Sequence, residues 1–106
     1  MARKPGITPE RHIEIGEQLT DMRTQFIQLY CEVMNAYPQR GGARRTAFRN
    51  AMKTAMNALD EVKNQGDSAS LEEHSKEWEP HWYYPGPDQS ERDLTRLWLM
   101  EKREVR

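Results

Sequence analysis

The sequence predicts an all-α protein organised around a long antiparallel, coiled-coil-like helical hairpin with a short C-terminal helical segment. Two apolar stripes and one turn carry that expectation. Ile15, Leu19, Met22, Phe26, Leu29, Val33 and Tyr37 recur at steps of four, three, four, three, four and four residues, which is a helical stripe close to a coiled-coil seam. Phe48, Met52, Ala55, Leu59 and Val62 repeat the spacing. Between them lies Pro38-Gln39-Arg40-Gly41-Gly42, a short glycine-containing connection that favours antiparallel neighbours.

The first arm starts at Thr8, a good N-cap, with Pro9 at a position where proline costs nothing. It ends at Tyr37, because a residue before proline avoids helical geometry. Ile27 and Met34 widen its apolar face beyond the needs of one neighbour, which favours self-association; a third helix of the same chain would use that width equally well. In the second arm Ala47, Ala51 and Ala55 allow close approach, and Gly66 suits a left-handed position just past a helix end. The domain boundaries expected are a flexible lead-in over 1–7, the hairpin over 8–66, and an acidic and aromatic segment with a last helix over 67–106, all one domain.

Within that last part, residues 64–70 read as a loop, and Ser70-Leu71-Glu72-Glu73 has the form of a capping box for a short helix reaching Glu79. Pro80 stops it. Ser90-Glu91-Arg92-Asp93 caps a final helix in which Leu94, Leu97, Trp98 and Val105 share a face.

Apolar residues make up 36% and charged residues 31% of the 106, so the expected core is thin. No apolar run is long enough for a membrane span, and the N-terminus lacks the apolar core of a signal peptide. Cys31 is the single cysteine and falls toward the polar side of the first arm, where a free thiol suits a cytoplasmic location. The net charge of −1 hides a strong separation. Val33 to Leu59 holds five basic residues and no acidic one, whereas Asp60 to Glu91 holds nine acidic residues and two lysines.

The basic stretch is the first candidate site. Arg45, Arg49 and Lys53 line one flank of the second arm, and Arg40 and Arg44 stand at the turn. Such a stripe suits nucleic-acid phosphates or an acidic protein partner; it equally suits a solvated flank or pairing with the chain's own acidic segment. The second candidate is the aromatic-proline stretch. Trp78, Trp82, Tyr83 and Tyr84 form either a partner-binding patch or, for Trp78, Trp82 and Tyr83, the lid that completes the core, which is the favoured reading. Glu73, His74, Glu77 and His81 are metal-ligand types in a short span, but Pro80 interrupts them and no ligand spacing such as H-E-x-x-H is present. They read as surface charge, and His12 reads as structural. No metal and no cofactor are expected.

No nucleophile–base pair or phosphate-binding glycine loop stands out, so the chain reads as a non-enzyme. The expected function is a small non-catalytic interaction protein that binds and modulates a larger macromolecular partner and forms homo-oligomers through its hairpin. The alternative is a nucleic-acid-binding accessory or regulatory factor. A third reading makes the acidic segment a mimic of nucleic acid.

Overall fold

In a computed structural model, residues 6–37 and 42–104 are described. Three α-helices and one 3-10 turn account for most of them, and no strand occurs among the described residues. Helix α1 is Pro9–Ala36, α2 is Ala43–Glu73, the 3-10 turn is Pro80–Trp82, and α3 is Gln89–Glu104. The expected glycine turn with Arg40, most of the lead-in, and Val105 lie outside the described residues.

Helix α1 begins and ends where its chemistry dictates. The Thr8 hydroxyl accepts from the Arg11 amide at 3.2 Å, and Pro9 occupies the first helical position. Tyr37 leaves the helix in extended geometry (φ −111°, ψ 124°) ahead of Pro38. Gly42 enters α2 at φ +88° with nothing near its missing Cβ, so glycine is needed there for conformation rather than space.

Helix α2 departs from expectation by running unbroken through residues 64–70 to Glu73. Gly66 is neither left-handed nor a terminus. Its lack of a side chain serves packing instead: a Cβ there would fall 2.3 Å from Tyr83 Cε1. The small polar residues after it stay helical because they are engaged, with Ser70 Oγ donating to the Asp67 carbonyl and Asp67 accepting from the Trp78 indole. The helix expected over 70–79 is therefore replaced by the end of α2 and a turn in which Glu77 and Trp78 amides both bond the His74 carbonyl.

Contacts pair the end of α1 with the start of α2 and the start of α1 with the end of α2. Tyr37 packs edge-on against Phe48, Arg49 Nε donates to Met34 Sδ, Arg23 pairs with Asp60, and His12 meets Glu73. The buried faces agree with the expected stripes in part. On α1, Ile15, Leu19, Phe26, Val33 and Tyr37 are half-buried as the spacing predicts, while Met22 and Leu29 are exposed and Thr20, Arg23, Ile27, Tyr30 and Met34 share the buried side. On α2, Met52, Ala55 and Leu59 turn inward together with Met56 and Lys63, while Phe48 and Val62 are left largely outside. The Arg23–Asp60 pair brings polar side chains into the seam, which apolar spacing alone does not specify.

The core is small: Ile13, Trp82, Tyr83 and Leu99, with Ile15, Leu19 and Trp78 packed against it. Gly16 makes it feasible, because a Cβ there would lie 1.8 Å from the Trp82 carbonyl oxygen. Helix α3 docks through charge more than through its leucines. Arg96 grips Glu17 with two 2.7 Å hydrogen bonds, Arg92 grips Asp21 at 2.9 and 3.2 Å, and Arg103 pairs with Glu10 and Glu77. These arginines set the inward face as Thr95 and Leu99, so Leu94 and Leu97 of the expected face are exposed.

Candidate functional site

The residues with chemistry on them fall into three places. The first is a polar cluster where the start of α1 meets the end of α2. His12, in the first turns of α1, is 1% exposed. Its Nδ1 shares a 2.6 Å hydrogen bond with the Tyr83 hydroxyl, and its Nε2 stands 3.4 Å from Glu73 Oε1 without a hydrogen bond. Trp82 stacks on the imidazole at 6.2 Å between centroids, and His74 meets it edge-on at 5.7 Å. The segment before α1 closes the cluster, with the Ile7 amide donating to Glu73 Oε2 at 3.1 Å and His74 Nε2 donating to the Ile7 carbonyl at 2.6 Å.

Electrostatics set the protonation states there. Burial holds the His12 imidazole below its ordinary pKa, against the opposing pull of Glu73. The Ile7 amide, aided by His12, holds the Glu73 carboxyl below the usual range. Burial raises the Tyr83 phenol. The cluster therefore presents a neutral imidazole, a carboxylate and a protonated phenol at neutral pH. One ring nitrogen of each histidine and one Glu73 oxygen lie within 4.8 Å of one another.

This is not the set that sequence spacing brings together. Of Glu73, His74, Glu77 and His81, the first two join His12, while Glu77 pairs with Arg103 and His81 packs on Trp98 at 5.3 Å. His12 was legible only through the register of the two helices: the pairing of Tyr37 with Phe48 and Arg23 with Asp60, carried on, sets residue 12 across from residue 73.

The second place is the basic flank. Arg44, Arg45 and Lys53 are exposed, and Arg49 is half-buried. Arg45 lies over the Tyr37 ring at 5.0 Å, and no acidic group pairs with these four among the described residues. Among the described residues the acidic segment does not pair with this flank; Asp60, Glu73, Glu77 and Glu79 are engaged with Arg23, His12, Arg103 and Lys102.

The third place is the apolar surface. Trp82 and Tyr83 are core residues, which leaves half-buried Trp78 and exposed Tyr84 to represent the aromatic patch at the surface. Tyr84 is itself occupied, bonding Asn64 and stacking under the Lys63 ammonium at 4.9 Å. Met22, Leu29, Phe48 and Val62 are about half exposed along the α1–α2 pair. A hollow between the turn and α3 is lined by Lys76, Glu79, His81, Trp98, Glu101 and Lys102, with Lys102 already held by Glu79 and the Trp78 carbonyl. No described helix is long and apolar enough to cross a membrane.

Searches against family models, curated proteins and solved structures returned no match.

Proposed function

We propose that the chain is a non-catalytic interaction protein whose first two helices form an antiparallel, coiled-coil-like hairpin. The hairpin pairs with a second copy through its open side, and the assembly binds and modulates a larger macromolecule. The surface left uncovered carries the reading. The chain exposes 7861 Å² at a mass of 12.5 kDa. A compact monomer of that mass exposes about 6,200 Å², leaving a surplus of roughly 1,700 Å². An ordinary stable interface takes ~800 Å² from each partner.

Shape supports the same conclusion. The molecule measures 61 × 40 × 16 Å, so it is flat and extended. A molecule so thin buries little of its helical surface, whereas stable domains pack at least two full layers. Four stripe residues are left out of the α1–α2 seam: Met22, Leu29, Phe48 and Val62. Each stands one position before a more buried residue, Arg23, Tyr30, Arg49 or Lys63, so in an antiparallel pair all four flank the seam on one side, where a second hairpin would pack. The exposed thiol of Cys31 is in keeping with a cytoplasmic setting. Leu29→Glu with Val62→Glu tests the pairing: light scattering should report the monomer mass at concentrations where the unaltered chain is dimeric. An altered chain that stays dimeric would sink this interface.

The bare basic flank favours a second reading, an accessory factor that contacts nucleic acid through Arg44, Arg45, Arg49 and Lys53, with Arg40 beside them in sequence. Helix α2 has no acidic residue in its first turn and no side-chain cap. Arginines at a helix N-terminus oppose the helix dipole, and an anion bound there would reverse that cost. Changing Arg45, Arg49 and Lys53 to Ala should weaken duplex DNA binding in a titration and lower its salt slope by about 2–3. Affinity unchanged by those substitutions would remove this reading.

A further inference from the structure

We propose that His12, Glu73 and His74 form a binding site for a divalent metal ion of the zinc class, closed around the junction of the lead-in, α1 and the end of α2. The first observation is an orphan. His12 Nε2 is buried in a side chain only 1% exposed and has no hydrogen-bond partner. An unsatisfied polar atom at such depth is costly and calls for an occupant.

The second observation is the distance to the nearest oxygen. Glu73 Oε1 stands 3.4 Å away, too far for a good hydrogen bond. Two ligand atoms bonded at about 2.0–2.1 Å to one tetrahedral ion stand ~3.3 Å apart. A ring nitrogen of His74 completes a triad within 4.8 Å.

The third observation is how the remaining polar atoms are held. His12 Nδ1 meets the Tyr83 hydroxyl, Glu73 Oε2 accepts from the Ile7 amide, and His74 Nε2 donates to the Ile7 carbonyl. Metal-binding imidazoles ordinarily have their second nitrogen tied in this way to an oxygen, which fixes the ring and its tautomer. With His74 Nε2 donating to the Ile7 carbonyl, Nδ1 is the ring nitrogen left for an ion. No Lys or Arg pairs with Glu73 among the described residues, so its charge is free for an ion.

Two imidazoles and one carboxylate select a borderline cation such as Zn²⁺ over Mg²⁺ or Ca²⁺, which prefer all-oxygen sites. Glu73 and His74 are the less buried members, so the fourth position opens toward solvent and takes water. The ion would tie residue 12 to residues 73 and 74, and through Ile7 hold the chain ahead of α1. Its role is structural: it fastens the end of the molecule where the core is smallest.

The test is calorimetric titration of the metal-free full chain with Zn²⁺, alongside Co²⁺ absorption. One ion per chain, intense tetrahedral Co²⁺ bands and a raised melting temperature are expected. Glu73→Gln and His74→Ala should each weaken Zn²⁺ binding by more than ~100-fold, beyond what outer-shell losses reach, whereas His81→Ala should leave it unchanged. Should either variant fail to fold by circular dichroism, histidine ring NMR of the unaltered chain decides: Zn²⁺ must shift His12 and His74 signals and spare His81. Absence of binding at ~100 µM Zn²⁺, at the weak end of specific affinity, would overturn the site. So would binding that survives both substitutions.

Discussion

At the scale of single residues, two glycines do what no apolar pattern announces. In a helix, Gly→Ala ordinarily gains about 1 kcal/mol. At Gly16 the added methyl would meet the backbone of Trp82 and Tyr83, which cannot step aside; at Gly66 it would meet the Tyr83 ring, which can swing. Gly16→Ala should therefore destabilise by about 2–3 kcal/mol and Gly66→Ala by about 1 kcal/mol or less, in urea unfolding. Equal stability of Gly16→Ala and the unaltered chain would contradict the packing described. Glycine at 66 looks like a helix stop because its commonest use is conformational, whereas here it serves contact. His12 shows the same limit. A lone histidine near a helix start carries no signal until the opposing helix is placed, and then it stands at the centre of the polar cluster.

At the scale of elements, helix starts and stops that depend on local chemistry were legible. Thr8-Pro9 and Tyr37-Pro38 act within their own turn, so the sequence suffices for α1. The rotation of each helix was legible only in part: Ile15, Leu19, Phe26 and Val33 are half-buried as spacing predicts, whereas Met22 and Leu29 are left outside, because partners far along the chain also decide it. Arg92, Arg96 and Arg103 hold α3 with Thr95 and Leu99 inward, which leaves Leu94 and Leu97 of the expected face outside while Trp98 stays half-buried against His81. Charge-held docking has a pH consequence. Arg92 holds the Asp21 carboxyl below its ordinary 3.8, and Arg103 holds Glu10 below 4.5. Carboxyl groups depressed in the folded state stabilise it above their unfolded pKa, and that stabilisation is lost as pH falls through the folded value. Acidification below about pH 4.5 should therefore release α3 before α1 and α2 melt. Near-ultraviolet dichroism should fall while far-ultraviolet helicity persists, and added salt should bring the change on earlier by screening the pairs. Coincident loss of both signals would show that α3 is not held in this way.

At the scale of the whole molecule, the thin core expected from composition goes with an extended, flat shape 16 Å across its shortest axis, with a radius of gyration of 18.0 Å where ~13 Å is usual for the length. Such a shape has too little interior to be comfortable alone. The face bearing Met22, Leu29, Phe48 and Val62 is where a second copy would restore ordinary burial. The basic flank and the polar cluster lie toward opposite ends of the α1–α2 pair. Sedimentation equilibrium of the full chain, across concentration and at low and high salt, tests the self-pairing most directly. The account predicts a salt-resistant species of twice the 12.5 kDa chain mass, because the contact is apolar. A species that stays at the single-chain mass at every concentration and salt would contradict it.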